Sequence, residues 1–270
     1  MRTKHALLLL LACVALPAVM WARQSSAPTG SGSQTPTSDP QAITVVQSAL
    51  AAMGAQSLSG VSNVQEVVSL TTYDSDGPST TTVTITTNGA SLRMDSQGSN
   101  GTSTLIMDAN RAQMQSADGV EEVPRSAFGG PGFTQIPLLS MLAHWQDQGA
   151  IVKYVGEETD GTSNVRHIRL QTPPDLTLGA GNSDAPCEIY FDSQSLLMTK
   201  LIYDIRSPAD LRKTLPITVA YQNYKVVSGL AIPFSVTYTV RGTPLSNQVV
   251  QDVIVNAPVT TSEFQFEGAQ

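Results

Sequence analysis

Residues 221–240 read YQNYKVVSGLAIPFSVTYTV, two runs of every-other-residue hydrophobicity flanking Ser228-Gly229. Phe234, Val236, Tyr238 and Val240 fall on one side of the second run, and Ser235, Thr237 and Thr239 on the other. Ile217, Val219 and Tyr221 repeat this parity in the first run. A period of two sends successive side chains to opposite faces of a strand. Each run therefore predicts a strand with one apolar and one Thr/Ser-rich face. The pattern recurs from 64–73 (VQEVVSLTTY) to 248–256, with turn signals such as Asp74-Ser75-Asp76-Gly77 and Asp118-Gly119 between the runs. Close spacing of this kind predicts an antiparallel meander of about eleven to twelve strands.

The period changes to three and four in two places. Asp39-Pro40 supplies an N-cap and a first-turn proline, Ile43, Val46, Leu50 and Met53 form a stripe, and Gly54 ends it, which predicts a short amphipathic helix. Leu138, Leu139, Leu142 and Trp145 predict a second helix over 136–148, preceded by the glycine-rich hinge FGGPGF at 128–133. Ser207-Pro208-Ala209-Asp210 reads as a capped helical turn, and 173–186 as a long loop. Two helices cannot cover the apolar face of so many strands. Such a sheet must curl, pair with a second sheet, or hold something.

The N-terminus adds a compartment. Arg2 and Lys4 precede an apolar run from Ala6 to Trp21, the layout of a signal peptide (1–22) with cleavage after Ala22. Leu10-Leu11-Ala12-Cys13 is similar to a lipidation motif, but the residues after Cys13 stay apolar, which favours a cysteine inside a discarded signal. Residues 23–38 are Ser, Thr, Pro, Gly and Gln in the main and predict a disordered linker, leaving 39–270 as one domain. Losing residues 1–22 removes two basic and no acidic residues, so the formal net charge moves from −7 to −9. An acidic surface argues against nucleic acid or anionic lipid as an electrostatic partner. Cys187 alone remains, and it can form no intramolecular disulfide.

Catalytic patterns fail one by one. His144 and His167 lack metal-ligand spacing, and no G-x-S-x-G elbow is present. Cys187 opens the strand CEIYFD as a small buried hydrophobe. Glu121-Glu122 and Glu157-Glu158 each lie in one extended stretch, so their members point to opposite faces. Asp74–Gly77 begins like a calcium loop and continues as a hairpin turn. No enzyme, metal or cofactor is implied.

Four stretches together carry a resemblance. They are Ser103–Asn110 (STLIMDAN); Tyr190-Phe191-Asp192 with Thr199-Lys200-Leu201; Tyr221–Phe234, with Gly229 at a tight turn and Pro233 where a strand's first N–H is free; and Val255-Asn256-Ala257-Pro258 through Phe264. They are similar to the "DG", "yyDp", "dGl.iP" and "vNp…F" hairpins of the lipoprotein-localisation-factor (LolA/LolB-like) superfamily of exported bacterial proteins, over roughly residues 39–266. The resemblance implies a mainly β fold: an incomplete, strongly curved antiparallel β-barrel whose concave face is covered by two or three helices. It implies a non-catalytic periplasmic or envelope protein, a monomer, holding an acyl chain or lipoprotein lipid. In the family an arginine on an early strand fastens the lid; here Asn88-Gly89-Ala90 occupies that place, and Arg93 is near in another register. Leu92, Met94, Leu105, Met107, Leu139, Leu142 and Trp145 are the expected lining. The other reading is a secreted β-domain that presents its Thr/Ser face or an edge strand to an envelope protein and takes no ligand.

Overall fold

The structure, a computed structural model, describes residues 37–98, 101–108, 110–123, 139–140, 142–147, 149–171, 186–207 and 210–266. The expected signal peptide and linker up to residue 36, the FGGPGF stretch at 128–133, the start of the second expected helix and most of the expected loop at 173–186 lie outside the described residues.

Thirteen antiparallel strands form one open sheet. They are β1 (Asn63–Asp74), β2 (Gly77–Asn88), β3 (Ser91–Gly98), β4 (Gly101–Met107), β5 (Ala112–Ser116), β6 (Gly119–Val123), β7 (Ile151–Asp160), β8 (Ser163–Gln171), β9 (Cys187–Asp192), β10 (Met198–Ser207), β11 (Asp210–Val227), β12 (Leu230–Val240) and β13 (Thr243–Val255). The short strands β5 and β6 pair as a hairpin across Asp118-Gly119, as their runs predict, and the total is slightly above the expected eleven to twelve. The spatial order is β6-β5-β4-β3-β2-β1-β13-β12-β11-β10-β9-β8-β7. The sheet does not close, and it bends around its apolar side as an open half-barrel. The curved-barrel expectation holds.

Local chemistry sets the hairpins. Val227 pairs with Leu230 across Ser228 (φ 50°) and Gly229 (φ 82°), a two-residue turn with both φ positive, whose twist suits a hairpin. Pro233 is the fourth residue of β12, not its first. Its ladder to β13 begins only at Ser235, so the missing N–H removes no strand bond. Ser207 ends β10 and pairs directly with Asp210 at the start of β11. The residues at both ends of the expected helical turn are thus paired as strand, and Pro208-Ala209 lie outside the described residues.

The first helix, α1 (Pro40–Ala52), begins as the sequence predicts, with the Asp39 carboxylate accepting from the Gln41 N–H at 2.8 Å. Its buried side differs from the expected stripe. Ala42, Val45, Val46, Ala49 and the capping Met53 are buried, while Ile43 and Leu50 pack at the margin. Alanines let the helix approach the sheet closely, and a stripe drawn through large residues misses them. The helix is tied at both ends, by the Asp39 N–H to the Val152 carbonyl on β7 and by the Ala231 N–H on β12 to the Met53 carbonyl. Thr37 and Ser38 also bond β7, through the Lys153 amine and the Val152 N–H.

Asn256 joins the end of β13 to the entry of β1. Its side-chain oxygen accepts from the Ser62 N–H and hydroxyl, its amide donates to the Gly60 carbonyl, and its backbone is left-handed at φ 59°. Asparagine tolerates that conformation better than most residues. Asn256→Ala is expected to cost about 1–2 kcal/mol, the bonds being solvent-exposed; urea denaturation would show a lower midpoint at constant slope.

Candidate functional site

The concave face is continuous from edge to edge. On β1–β5 it carries Val64, Val68, Val83, Ile85, Leu92, Met94, Leu105, Met107 and Met114; on β8–β13 it carries residues such as Ile168, Ile189, Leu201, Val219, Val236 and Val250. All belong to one apolar cluster, which α1 and the segment 139–150 join from the open side. Residues 139–140 and 142–143 are helical, and the Ala150 N–H bonds the Trp145 carbonyl just before β7 begins.

All seven expected lining residues meet in this cluster. Leu92, Leu105, Leu139, Leu142 and Trp145 are buried, Leu142 completely, and Met94 and Met107 are half-buried against them. Leu92 pairs with Met107 and Met94 with Leu105, so these four form a block on neighbouring strands β3 and β4. Leu139, Leu142 and Trp145 come from a segment far away in the chain.

Arg93 is turned the other way. It makes a forked bond to Asp95 at 2.7 and 2.8 Å and donates to the Glu263 carbonyl in the C-terminal 3-10 turn Thr261–Phe264. It is the one arginine of β1–β4, and it clamps the C-terminus to the outer face. The lid-fastening role of the family's arginine has no counterpart at Arg93.

The outer face of β7–β10 holds an ion cluster that the sequence did not announce. His167 lies between Glu158 (2.6 Å to Nδ1) and Glu188 (2.7 Å to Nε2), and its ring stacks on Tyr190 at 4.2 Å. Arg169 also bonds Glu188, and Lys200 bonds Asp160 while lying over the Tyr190 ring. Every partner is another side chain of the cluster, so it reads as cross-strand stapling. Glu157 is 3.7 Å from Arg166 while Glu158 bonds His167, and Glu121 and Glu122 are exposed, so neither of the adjacent glutamate pairs acts as a pair. Burial pushes the Cys187 thiol up to about 12, the opposite of an activated nucleophile. His144 is exposed against Asp147. Among the described residues no three His, Cys, Asp or Glu side chains are arranged to hold a metal ion, and no helix is long and apolar enough to cross a membrane.

Sequence reading missed the polar groups on the concave side. Glu66 is only 5% exposed on the inward face of β1, between Ile85 and Val253 on the flanking strands. Burial raises its carboxyl to about 7. Close by on the same face are Tyr238, which hydrogen-bonds Gln248, and Tyr221, whose hydroxyl reaches no protein partner. The parity of β11 and β12 already put both tyrosines inward. Nothing in VQEVVSLTTY marks Glu66, because its strand offers apolar residues in both phases.

Glu66 should leave a signature in stability. An acid with a higher pKa folded than unfolded holds its proton in the native state while the unfolded chain releases it. Stability therefore falls as pH rises from about 4.5 to about 7, then levels off. Glu66→Gln is expected to abolish that fall and to be more stable than the parent above pH 7 by roughly 2–3 kcal/mol, with little difference at pH 4. Thermal melts of both proteins across pH 4–8 would show it.

No family model matches the chain, and no curated protein matches it by sequence. Solved structures do. A LolA superfamily protein from Nitrosomonas europaea superposes with a TM-score of 0.56 at 11% identity, covering 83% of this chain and 97% of that one. A DUF1329 family protein from Desulfovibrio piger gives 0.58 at 8% identity, over 85% and 99%. A domain described as an outer membrane lipoprotein-sorting protein, from Vibrio parahaemolyticus, gives 0.56 at 10% identity, over 83% and 96%. Identities this low speak for the fold alone, and these chains are spanned almost end to end. The open half-barrel described above shares its fold with these solved structures, the LolA superfamily protein among them.

Proposed function

We propose that this chain is a non-catalytic protein of the bacterial envelope that holds a hydrophobic ligand, an acyl chain or the lipid of a lipoprotein, against the concave face of its half-barrel. The observation that carries the reading is the broad, mainly apolar face of an unclosed sheet, lined by methionine and leucine on β3–β5 and met by α1 and by Leu139, Leu142 and Trp145. A fatty chain gains about 0.8 kcal/mol per buried methylene and needs no specific polar contact, and methionine adapts to irregular chains. Leu92, Met94, Leu105, Met107, Leu139, Leu142 and Trp145 are the proposed contacts. The proposal includes export with cleavage after Ala22, a linker at 23–38, and a monomeric domain at 39–270.

Titration with a fluorescent fatty acid tests it. Saturable uptake of about one probe per protein is expected, weakened at least fivefold, roughly 1 kcal/mol, by Leu105→Trp, which fills the lining. Ile254→Trp on the outer face should leave uptake unchanged, Ile254 being 41% exposed. Absence of saturable uptake, together with lipid-free protein by native mass spectrometry from its own host, would overturn the reading.

A further inference from the structure

The concave face carries a second kind of chemistry in the middle of its apolar surface. Tyr238 on β12 pairs across the ladder with Ser246 on β13, and Val236, two residues earlier, lies between Gln248 on β13 and Tyr221 on β11. All four polar side chains are turned inward and buried, with exposures of 3–9%. The Tyr221 hydroxyl makes no hydrogen bond. Glu66 lies on the same inward face, on β1 opposite Val253 of β13, and of the two phenols it acts electrostatically on Tyr238. Among the described residues no lysine or arginine acts on Glu66 or Tyr221.

A purely apolar lining would need none of these groups. A buried phenol with no partner and a buried carboxyl with no cation both weaken the fold, and phenylalanine and leucine would fit the same inward positions at no such cost. Groups of this type have a use if something polar enters beside them. Their character narrows what that is. Ionised Glu66 can only accept hydrogen bonds, whereas Gln248 and the phenols can accept or donate, and beside Glu66 an entering carboxylate or phosphate would meet a like charge in a low-dielectric interior.

We propose that this inward patch seats the uncharged, hydrogen-bond-donating end of the ligand, so that the protein selects neutral acyl lipids with free hydroxyls, of the monoacylglycerol kind, over free fatty acids. The inference rests on the carrier reading above and adds the headgroup to it. The apolar block on β3 and β4 takes the chain, Glu66 accepts from a hydroxyl, and the Tyr221 phenol pairs with another oxygen of the same head. A site built to hydrogen-bond a hydroxyl discriminates strongly, because an analogue lacking it strands the buried partners.

Two probes of one chain length, 1-monopalmitoylglycerol and palmitate, measured by displacement of a fluorescent fatty probe at pH 8, test this with the whole chain. The expected result is a preference of about tenfold or more for the glyceride. In Glu66→Gln and Tyr221→Phe the preference should shrink to within about threefold while both lipids still bind. Both variants keep the side-chain volume, and Tyr221→Phe removes a hydroxyl that bonds nothing, so both should fold; equal or higher melting temperatures check this. Equal affinities in the parent, or a preference for palmitate, would overturn the headgroup assignment and leave the carrier reading standing. A preference that survives in both variants would overturn the assignment to this patch. If neither lipid displaces the probe, the carrier reading itself falls, and the headgroup assignment with it.

Discussion

Val46→Asp is expected to strip α1 from the sheet. Val46 is fully buried, at the centre of the helix face that meets the concave cluster. A carboxylate placed there loses the burial of the valine and must either shed its charge or leave the interior. Together these cost on the order of 4–6 kcal/mol. For a domain of this size that is a fall in melting temperature of roughly 10–20 °C. Because α1 is fixed to the strands mainly at its two ends, the sheet should outlast it. The signature is then a strand-type circular dichroism spectrum, kept below the transition, with new binding of a hydrophobic dye to the uncovered face. Gln47→Asp, one residue along and exposed, should shift the melt by no more than about half a kcal/mol. If the two variants behave alike, α1 is not an integral cover.

Gly54→Ala should be nearly as damaging, for a different reason. Gly54 follows the helix at φ 77°, and a Cβ there would stand 1.9 Å from the Gly229 carbonyl oxygen. Gly229 is itself a turn residue at φ 82°, and a Cβ on it would stand 2.6 Å from the Ser57 hydroxyl, so the two backbones meet closely here. The left-handed conformation costs alanine about 1–2 kcal/mol, and the forced separation of two backbones about 1–3 more. Gly89→Ala is the control: it too is left-handed, at φ 57°, but faces open space. It should lose only the conformational part. The difference between the two in chemical denaturation measures how tightly the exit of α1 is pinned to the β11–β12 turn.

Period-two patterning made most of the strands legible, because the two faces of the sheet live in different solvents. Ser235, Thr237 and Thr239 are more exposed than Phe234, Val236 and Tyr238, as their alternation predicts. The helix start was legible through a local interaction, Asp39 with Gln41. Three features were not. The inner face of α1 uses Ala42 and Ala49, which carry too little hydrophobicity to mark a stripe. The polarity of Pro208's neighbourhood pointed to a turn, but only the register of β10 against β11 says that its two ends pair as strand. Glu66 and the His167 cluster depend on which strands become neighbours: His167 meets Glu158 and Glu188 through two separate ladders. A one-dimensional pattern gives the phase of a strand and not the identity of its neighbour.

The seam at the middle of the sheet has a consequence for how the molecule is made. β1 and β13 lie side by side, with Val64 opposite Val255, so the first and last strands of the domain complete the ladder between its two halves. The hairpins from β1 through β6 are local and can form early. The long-range closure must wait until nearly the whole chain is available, and contacts of such separation form slowly. A nascent chain in this state has no finished core, and it can pass unfolded through a narrow channel and complete itself on the far side.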